Sequence, residues 1–152
     1  MIVLADANIH IRLSLKSDPL YQIASDAVSV IQARGDEFCL IPQILYEFWT
    51  VATRPATSRG GLDMNPNEGD FAVAQMENLY RLFSDTPEVF VEWRKLVVQY
   101  QVSGLPAHDA RIVAAMKVHG IGTILTFNRD DFVRYTDITV LTPKDVSATR
   151  TP

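Results

Sequence analysis

Residues 2–5 read Ile-Val-Leu-Ala, apolar at every position, and the run stops at Asp6. A strand with one wet face alternates apolar and polar side chains, whereas a strand covered on both faces has no such need. The run therefore predicts a strand inside a sheet that carries helices on both sides. Phe38 to Ile41, Thr123 to Leu125 and Ile138 to Leu141 are further short strand-like runs. Between them lie stretches with a helical period. Asp18-Pro19 opens one that continues to about Arg34 and is closed by Gly35. Pro42 stands where a helix would start, and Ile44, Leu45, Phe48 and Val51 follow at helical spacing. The period returns from Phe71 to Leu82, and Asp85-Thr86-Pro87-Glu88 opens a helix to about Gln101. Ala107 to His119 is another, stopped by Gly120. Strands alternating with helices predict an α/β fold with a mostly parallel sheet.

Residues 54–69 break this rhythm with two prolines, three glycines and mostly polar side chains, and read as a loop or flap. No repeat or linker interrupts the rest, so residues 1–152 are expected to form a single domain. A chain of 152 residues can bury a sufficient core without a disulfide. Cys39 is the only cysteine, which suits a reducing cytoplasm. No stretch approaches the ~20 apolar residues of a membrane span. The opening MIVLADANIH lacks a basic segment and a small-residue cleavage site, so no signal peptide is expected. A formal charge of -4 counts against a protein that coats nucleic acid non-specifically. It does not count against an enzyme whose own carboxylates hold divalent cations.

The acids give the chemistry. In open α/β sheets, ligands bind outside the carboxyl ends of the strands. Asp6 ends the first strand and so stands at that edge; it or Asn8 would equally suit the cap of a following helix. Glu47 has Ile44, Phe48 and Val51 as helical neighbours, so its carboxylate projects from or beside a buried stripe. An ionised carboxylate left unpaired there costs several kcal/mol. Either an arginine pairs with it or something else positive does. Asp109, in the first turn of its helix, has Ile112, Val113 and Met116 beneath it. Asn128 follows the strand Thr123 to Leu125, with Arg129-Asp130-Asp131 beyond; ordinary turn chemistry is the alternative there. Clustered carboxylates repel unless a cation lies between them. Magnesium takes one or two carboxylates and keeps several waters, and phosphate usually completes such a site.

Other residues carry less. His10, His108 and His119 lack zinc spacing, although His108 adjoins Asp109. Ser14, Ser103 and Cys39 have no evident base beside them. Trp49, Trp93, Phe48 and Phe71 fall in helical apolar patterns and read as core or interface.

IVLADANI at 2–9, LYEFWTVATRP at 45–55, AHDARIVAAM at 107–116 and ILTFNRDDF at 124–132 together resemble the PIN-domain nucleases, in particular the VapC-like toxins of toxin–antitoxin pairs. The resemblance implies a three-layer α/β/α sandwich around a parallel sheet. It implies a magnesium- or manganese-dependent ribonuclease in which Asp6 and Asp109 bind metal and Glu47 binds metal or positions water. Asn128 matches a position often held by aspartate and would give a neutral oxygen, or Asp131 would supply the charge. Asn8 and Thr126 match supporting polar positions. Arg54 and Arg129 are candidate phosphate contacts, Arg59 a weaker one. The implied reaction is in-line hydrolysis of RNA leaving 5′-phosphate and 3′-hydroxyl ends. The implied partners are an antitoxin protein and a second copy of the chain. The alternatives are a PIN nuclease of RNA processing and a binding module with weakened catalysis, the latter suggested by Asn128.

Overall fold

The computed structural model describes residues 1–148. The last four residues of the expected 1–152 domain lie outside the described residues. In chain order the elements are β1 (Ile2–Ala5), α1 (Ala7–Leu13), α2 (Tyr21–Ala33), β2 (Glu37–Leu40) and α3 (Pro42–Ala52). They continue with α4 (Pro66–Leu79), β3 (Arg81–Leu82), α5 (Pro87–Gln99) and α6 (Ala107–Val118), and end with β4 (Thr123–Leu125), β5 (Thr139–Leu141) and α7 (Pro143–Ala148).

Among the described residues the sheet has five strands in the order β3-β2-β1-β4-β5, and every pairing is parallel. β1 is central, with Leu4 opposite Cys39 on one side and Ile124 on the other. The unbroken apolar run is explained by cover on both faces. Leu4 and Ile124 join a core with Ile44 and Phe48 of α3, Leu96 of α5, and Ile112, Val113 and Met116 of α6. Val3, Ala5, Phe38 and Leu125 join a second core with Ile9 of α1, Ala27 and Ile31 of α2, and Val146 of α7. The result is the three-layer α/β/α sandwich expected from the sequence.

The chain leaves β1 for β2 on one side and reaches β4 on the other. The carboxyl ends of β1 and β4 therefore flank the point where strand order reverses, which is where ligands bind in such sheets. The backbone N–H of Asp6 donates to the Leu125 carbonyl at 3.0 Å, tying the two ends together.

The fourth helix departs from the sequence reading. It begins at Pro66, inside the stretch read as a loop, and ends at Leu79. Asn65 accepts from the N–H groups of Asn67 and Glu68, and the Glu68 carboxylate accepts from the Asn65 N–H. That reciprocal capping box starts the helix five residues before its apolar period becomes visible at Phe71. Beyond Tyr80 the chain extends as β3 rather than continuing the helix to Leu82. The remaining loop is pinned to the end of α3: Leu62 and Met64 N–H groups donate to the carbonyls of Val51 and Ala52 at 3.2 and 2.9 Å. Gly61 is required there, because a Cβ would overlap the carbonyl oxygens of Arg54 and Pro55.

Candidate functional site

Asp6 sits just past β1 and is 6% exposed. Its backbone is extended (φ -65°, ψ 156°), and it caps α1: Oδ1 accepts from the Ala7 N–H at 2.7 Å. The other oxygen, Oδ2, accepts from Asn8 Nδ2 at 2.8 Å and from the Thr126 hydroxyl at 2.7 Å. The helix-cap role and the site role raised by the sequence thus coexist in one carboxylate. Thr126 is fully buried just after β4. Having given its only proton to Asp6, its oxygen accepts from Asn8 Nδ2 at 3.1 Å and from the Asn128 N–H at 3.0 Å. Asn8 Oδ1 accepts from the Phe127 N–H at 3.1 Å, which fixes the orientation of its amide. Asn8 and Thr126 therefore form the frame that holds Asp6 across the β1–β4 junction.

Burial raises the Asp6 pKa from 3.8 to about 6 against the pull of the Thr126 and Ala7 hydrogen bonds, and the charges of Glu47 and Asp109 add to the rise. Asp109, half-buried in the first turn of α6, is likewise raised to about 6. Desolvation leads, then the charges of Asp131 and Glu47, with His108 and Arg134 opposing. The structure thus gathers Asp6, Glu47, Asp109 and Asp131 into one field of mutual repulsion.

Glu47 projects from α3 between the buried Ile44 and Phe48. No arginine or lysine forms an ion pair with Glu47, Asp6 or Asp109 among the described residues, so the paired-arginine reading of Glu47 fails. Instead its Oε1 accepts from Gln43 Nε2 at 2.8 Å. Gln43 is itself buried; Nε2 also donates to the His108 carbonyl at 2.9 Å, and Oε1 accepts from Arg111 at 3.0 Å. Arg111 in turn pairs with Asp85 at 2.8 Å. Sequence reasoning missed Gln43 and Arg111. The available signal was a polar residue one turn before Glu47 on an otherwise apolar helix.

Asn128 and Asp131, the two residues that the sequence offered beyond β4, meet the acids differently. Asn128 is exposed and enters the network through its backbone N–H. Asp131, on a single 3-10 turn at Arg129–Asp131, is the residue whose charge reaches Asp109. The arginines suggested for phosphate are otherwise engaged: Arg129 pairs with Asp145 at 3.2 Å, and Arg54 donates to the Arg59 carbonyl. Arg134, not singled out in the sequence, is the guanidinium felt at Asp109.

Among the described residues no three His, Cys, Asp or Glu side chains stand together as direct ligands of one ion. The donor set still fits a hydrated divalent cation: all oxygen, surplus negative charge, and raised pKa values that a cation would reverse. Magnesium needs only one or two direct carboxylates, with water bridging to the others. A cleft of about 780 Å³, lined by Ser14, Asp63, Glu68 and Phe71 among others, contains none of the four acids. Chemistry, not size, locates the site.

Fold and site define an α/β/α protein with an acidic cluster, without a paired lysine or arginine among the described residues, at the reversal point of a parallel sheet. The chain belongs to the PIN domain family, which matches residues 3–138. No curated protein matches the sequence. Solved structures similar to it include VapBC2 from Rickettsia felis bound to a promoter DNA fragment, at 12% identity and TM-score 0.67, covering 93% of this chain and 98% of that one. VapBC-1 from nontypeable Haemophilus influenzae is similar at 18% identity and TM-score 0.65, covering 95% and 99%. VapC20 from Mycobacterium tuberculosis, described as a sarcin-ricin loop cleaving toxin, is similar at 17% identity and TM-score 0.61, covering 85% and 92%. At these identities the likeness is one of fold.

Proposed function

We propose that this chain is a magnesium- or manganese-dependent endoribonuclease and the toxin of a toxin–antitoxin pair. The observation that carries the reading is the acidic cluster: Asp6, Glu47, Asp109 and Asp131 share one field with no paired lysine or arginine among the described residues. Membership of the PIN domain family and the fold shared with VapBC proteins support it.

Asp6 and Asp109 would hold the cation, with Glu47 beside them and Asp131 contributing charge or a water-bridged contact. When bound, the cation polarises a phosphoryl oxygen and lowers the pKa of water. The protein's own part is to aim its acids. Thr126, Asn8 and the Ala7 N–H fix both oxygens of Asp6. Gln43 fixes one oxygen of Glu47. Arg134 brings positive charge towards Asp109, where an RNA phosphate would need it. Asn128 does not weaken the centre, because Asp131 carries the fourth charge. This argues against the binding-module alternative.

The antitoxin is taken to be a small protein that covers the crevice. A second copy of the chain is taken to dock on α5, where Phe90, Val91 and Val98 are exposed. Among the described residues no helix is long and apolar enough to cross a membrane, and a cytoplasmic location is proposed with the toxin role.

The test is cleavage of an RNA pool with magnesium or manganese, compared with EDTA and with Asp6→Asn. The expected outcome is cleavage by the metal-supplied wild type alone. Cleavage that persists in EDTA and in Asp6→Asn would sink the reading. Co-purification of a small partner encoded beside the gene, with loss of cleavage in the complex, is expected of a toxin and not of a processing nuclease.

A further inference from the structure

One cleft next to the acids has chemistry that the metal centre does not use. On α3, Gln43, Tyr46, Glu47 and Thr50 are spaced by three, four and seven residues, so they share a face. With His108 and Arg111 of α6 they line a cavity of about 330 Å³. That is the low end of the range for small-ligand sites, roughly 300–1,000 Å³. It has room for a nucleotide but not for a packed helix.

The lining is specific. Tyr46 is 63% exposed, although the opposite face of its helix is core. Its ring is therefore not held by packing within the chain. Arg111 is held firmly: one nitrogen donates to Gln43 and the other pairs with Asp85. A guanidinium has five N–H donors, and these bonds use two. Its orientation is fixed by the protein while donors remain for a ligand. Glu47 lines the cleft and its charge is felt at Asp6 and Asp109, so the cleft opens beside the acidic cluster.

We propose that this cleft seats one nucleotide of a single-stranded RNA, next to the phosphate at the acidic cluster, with its base stacked on Tyr46 and its polar edge or phosphate met by Arg111 and His108. The inference rests on the ribonuclease reading and names the part of the substrate that this surface takes. An exposed aromatic face combined with a guanidinium held in place with donors to spare suits a single strand, since every base offers a π-face and every phosphate an acceptor. A peptide partner would want an apolar groove, and here Tyr46 alone presents a large apolar surface.

The test uses a labelled single-stranded RNA oligonucleotide. Its cleavage is followed with magnesium or manganese, and its equilibrium binding is followed in EDTA. Tyr46→Ala is expected to raise both Kd and KM roughly tenfold, with a smaller change in kcat. Tyr46→Trp, which keeps a stacking face, should recover most of that loss. Phe71→Ala, an exposed aromatic on α4 outside the cleft, serves as the control and should bind and cleave as wild type does. Because Tyr46 is exposed, Tyr46→Ala should melt with wild type, separating binding from folding. A Tyr46→Ala protein that binds and cleaves like a competent wild type overturns the subsite alone. So does a Tyr46→Trp protein no better than Tyr46→Ala. If Tyr46→Ala loses a co-purifying protein while its RNA affinity holds, the cleft belongs to a protein partner and the proposal is overturned. A folded, metal-supplied wild type that cleaves no RNA overturns the ribonuclease reading and the subsite with it.

Discussion

Gln43 shows how a neutral side chain can serve a charged site. A guanidinium can only donate, so the Gln43 atom facing Arg111 must be its oxygen. Its nitrogen then faces Glu47 and the His108 carbonyl, both acceptors, and all three bonds are consistent. A direct arginine would neutralise Glu47; an amide between them transmits orientation and leaves the charge for a cation. Replacing Gln43 with leucine should therefore lower kcat and weaken the apparent magnesium affinity severalfold, read from cleavage rate against magnesium concentration. It also removes the part-buried bonds that Gln43 gives to the His108 carbonyl and takes from Arg111, at about 1–3 kcal/mol of stability in all. An unchanged magnesium dependence in a folded Gln43→Leu protein would reduce Gln43 to a packing residue. Asp109 gives the converse case. Its neighbours Asp131 and Glu47 are repulsive, so Asp109→Asn in metal-free buffer should raise Tm by a few degrees while abolishing cleavage. A drop in Tm would mean that the carboxylate is structurally bonded after all. At this scale the sequence was legible wherever a carboxylate interrupted an apolar helix face, as at Glu47 and Asp109. Gln43, Arg111 and Tyr46 were not, since their meaning lies in a pairing between α3 and α6 separated by more than sixty residues.

The elements were read best where burial imposes a pattern. β1 and β2 announce themselves because both faces are covered, α3 because one face is core, and α6 because its middle is buried nearly all round. The failures fall where local chemistry, not burial, sets the boundary. α4 is mostly exposed, with only Gly69 and Met76 buried, so its period is faint and its start is decided by Asn65, Pro66 and Glu68. β3 has two residues, too few for any periodicity, and exists because the edge of β2 offers partners. The same reasoning predicts where α4 is fragile. Asn65→Ala removes the acceptor for two N–H groups and breaks the reciprocal bond, at about 1 kcal/mol. Urea denaturation should show that loss. Because Asn65 lies away from the acids, RNA cleavage at a temperature well below the melt should stay unchanged. A stability change below a few tenths of a kcal/mol would show that the start of α4 is held by tertiary contacts instead.

For the molecule as a whole, the crossing of the chain from β1 to β4 brings acids distant in sequence to one edge, and their proximity couples stability, pH and metal. The Asp6 pKa rises from 3.8 to about 6 on folding. Between those values the folded protein keeps a proton on Asp6 that the unfolded chain has released, so the part of the stability that Asp6 contributes falls as pH rises. This contribution is fully present below pH 3.8 and is gone once pH passes about 6. For the buried Asp6 it amounts to about 3 kcal/mol, while half-exposed Asp109 adds in the same direction. Buried His10, lowered from 6.5 to about 4, pulls the other way across the same window, and Asp18 and Asp145 do so at lower pH; all three cancel when wild type is compared with Asp6→Asn. Denaturant melts in EDTA at pH 4.5 and pH 7.5 should therefore show wild type losing stability relative to Asp6→Asn at the higher pH. Magnesium should reverse the difference, because a cation binds the ionised pair and drives off the protons. Its stabilisation of wild type should grow through about pH 6, with protons released on binding, and should be absent from Asp6→Asn. A magnesium-induced rise in Tm that is the same at both pH values would mean that the cation binds somewhere other than these carboxylates.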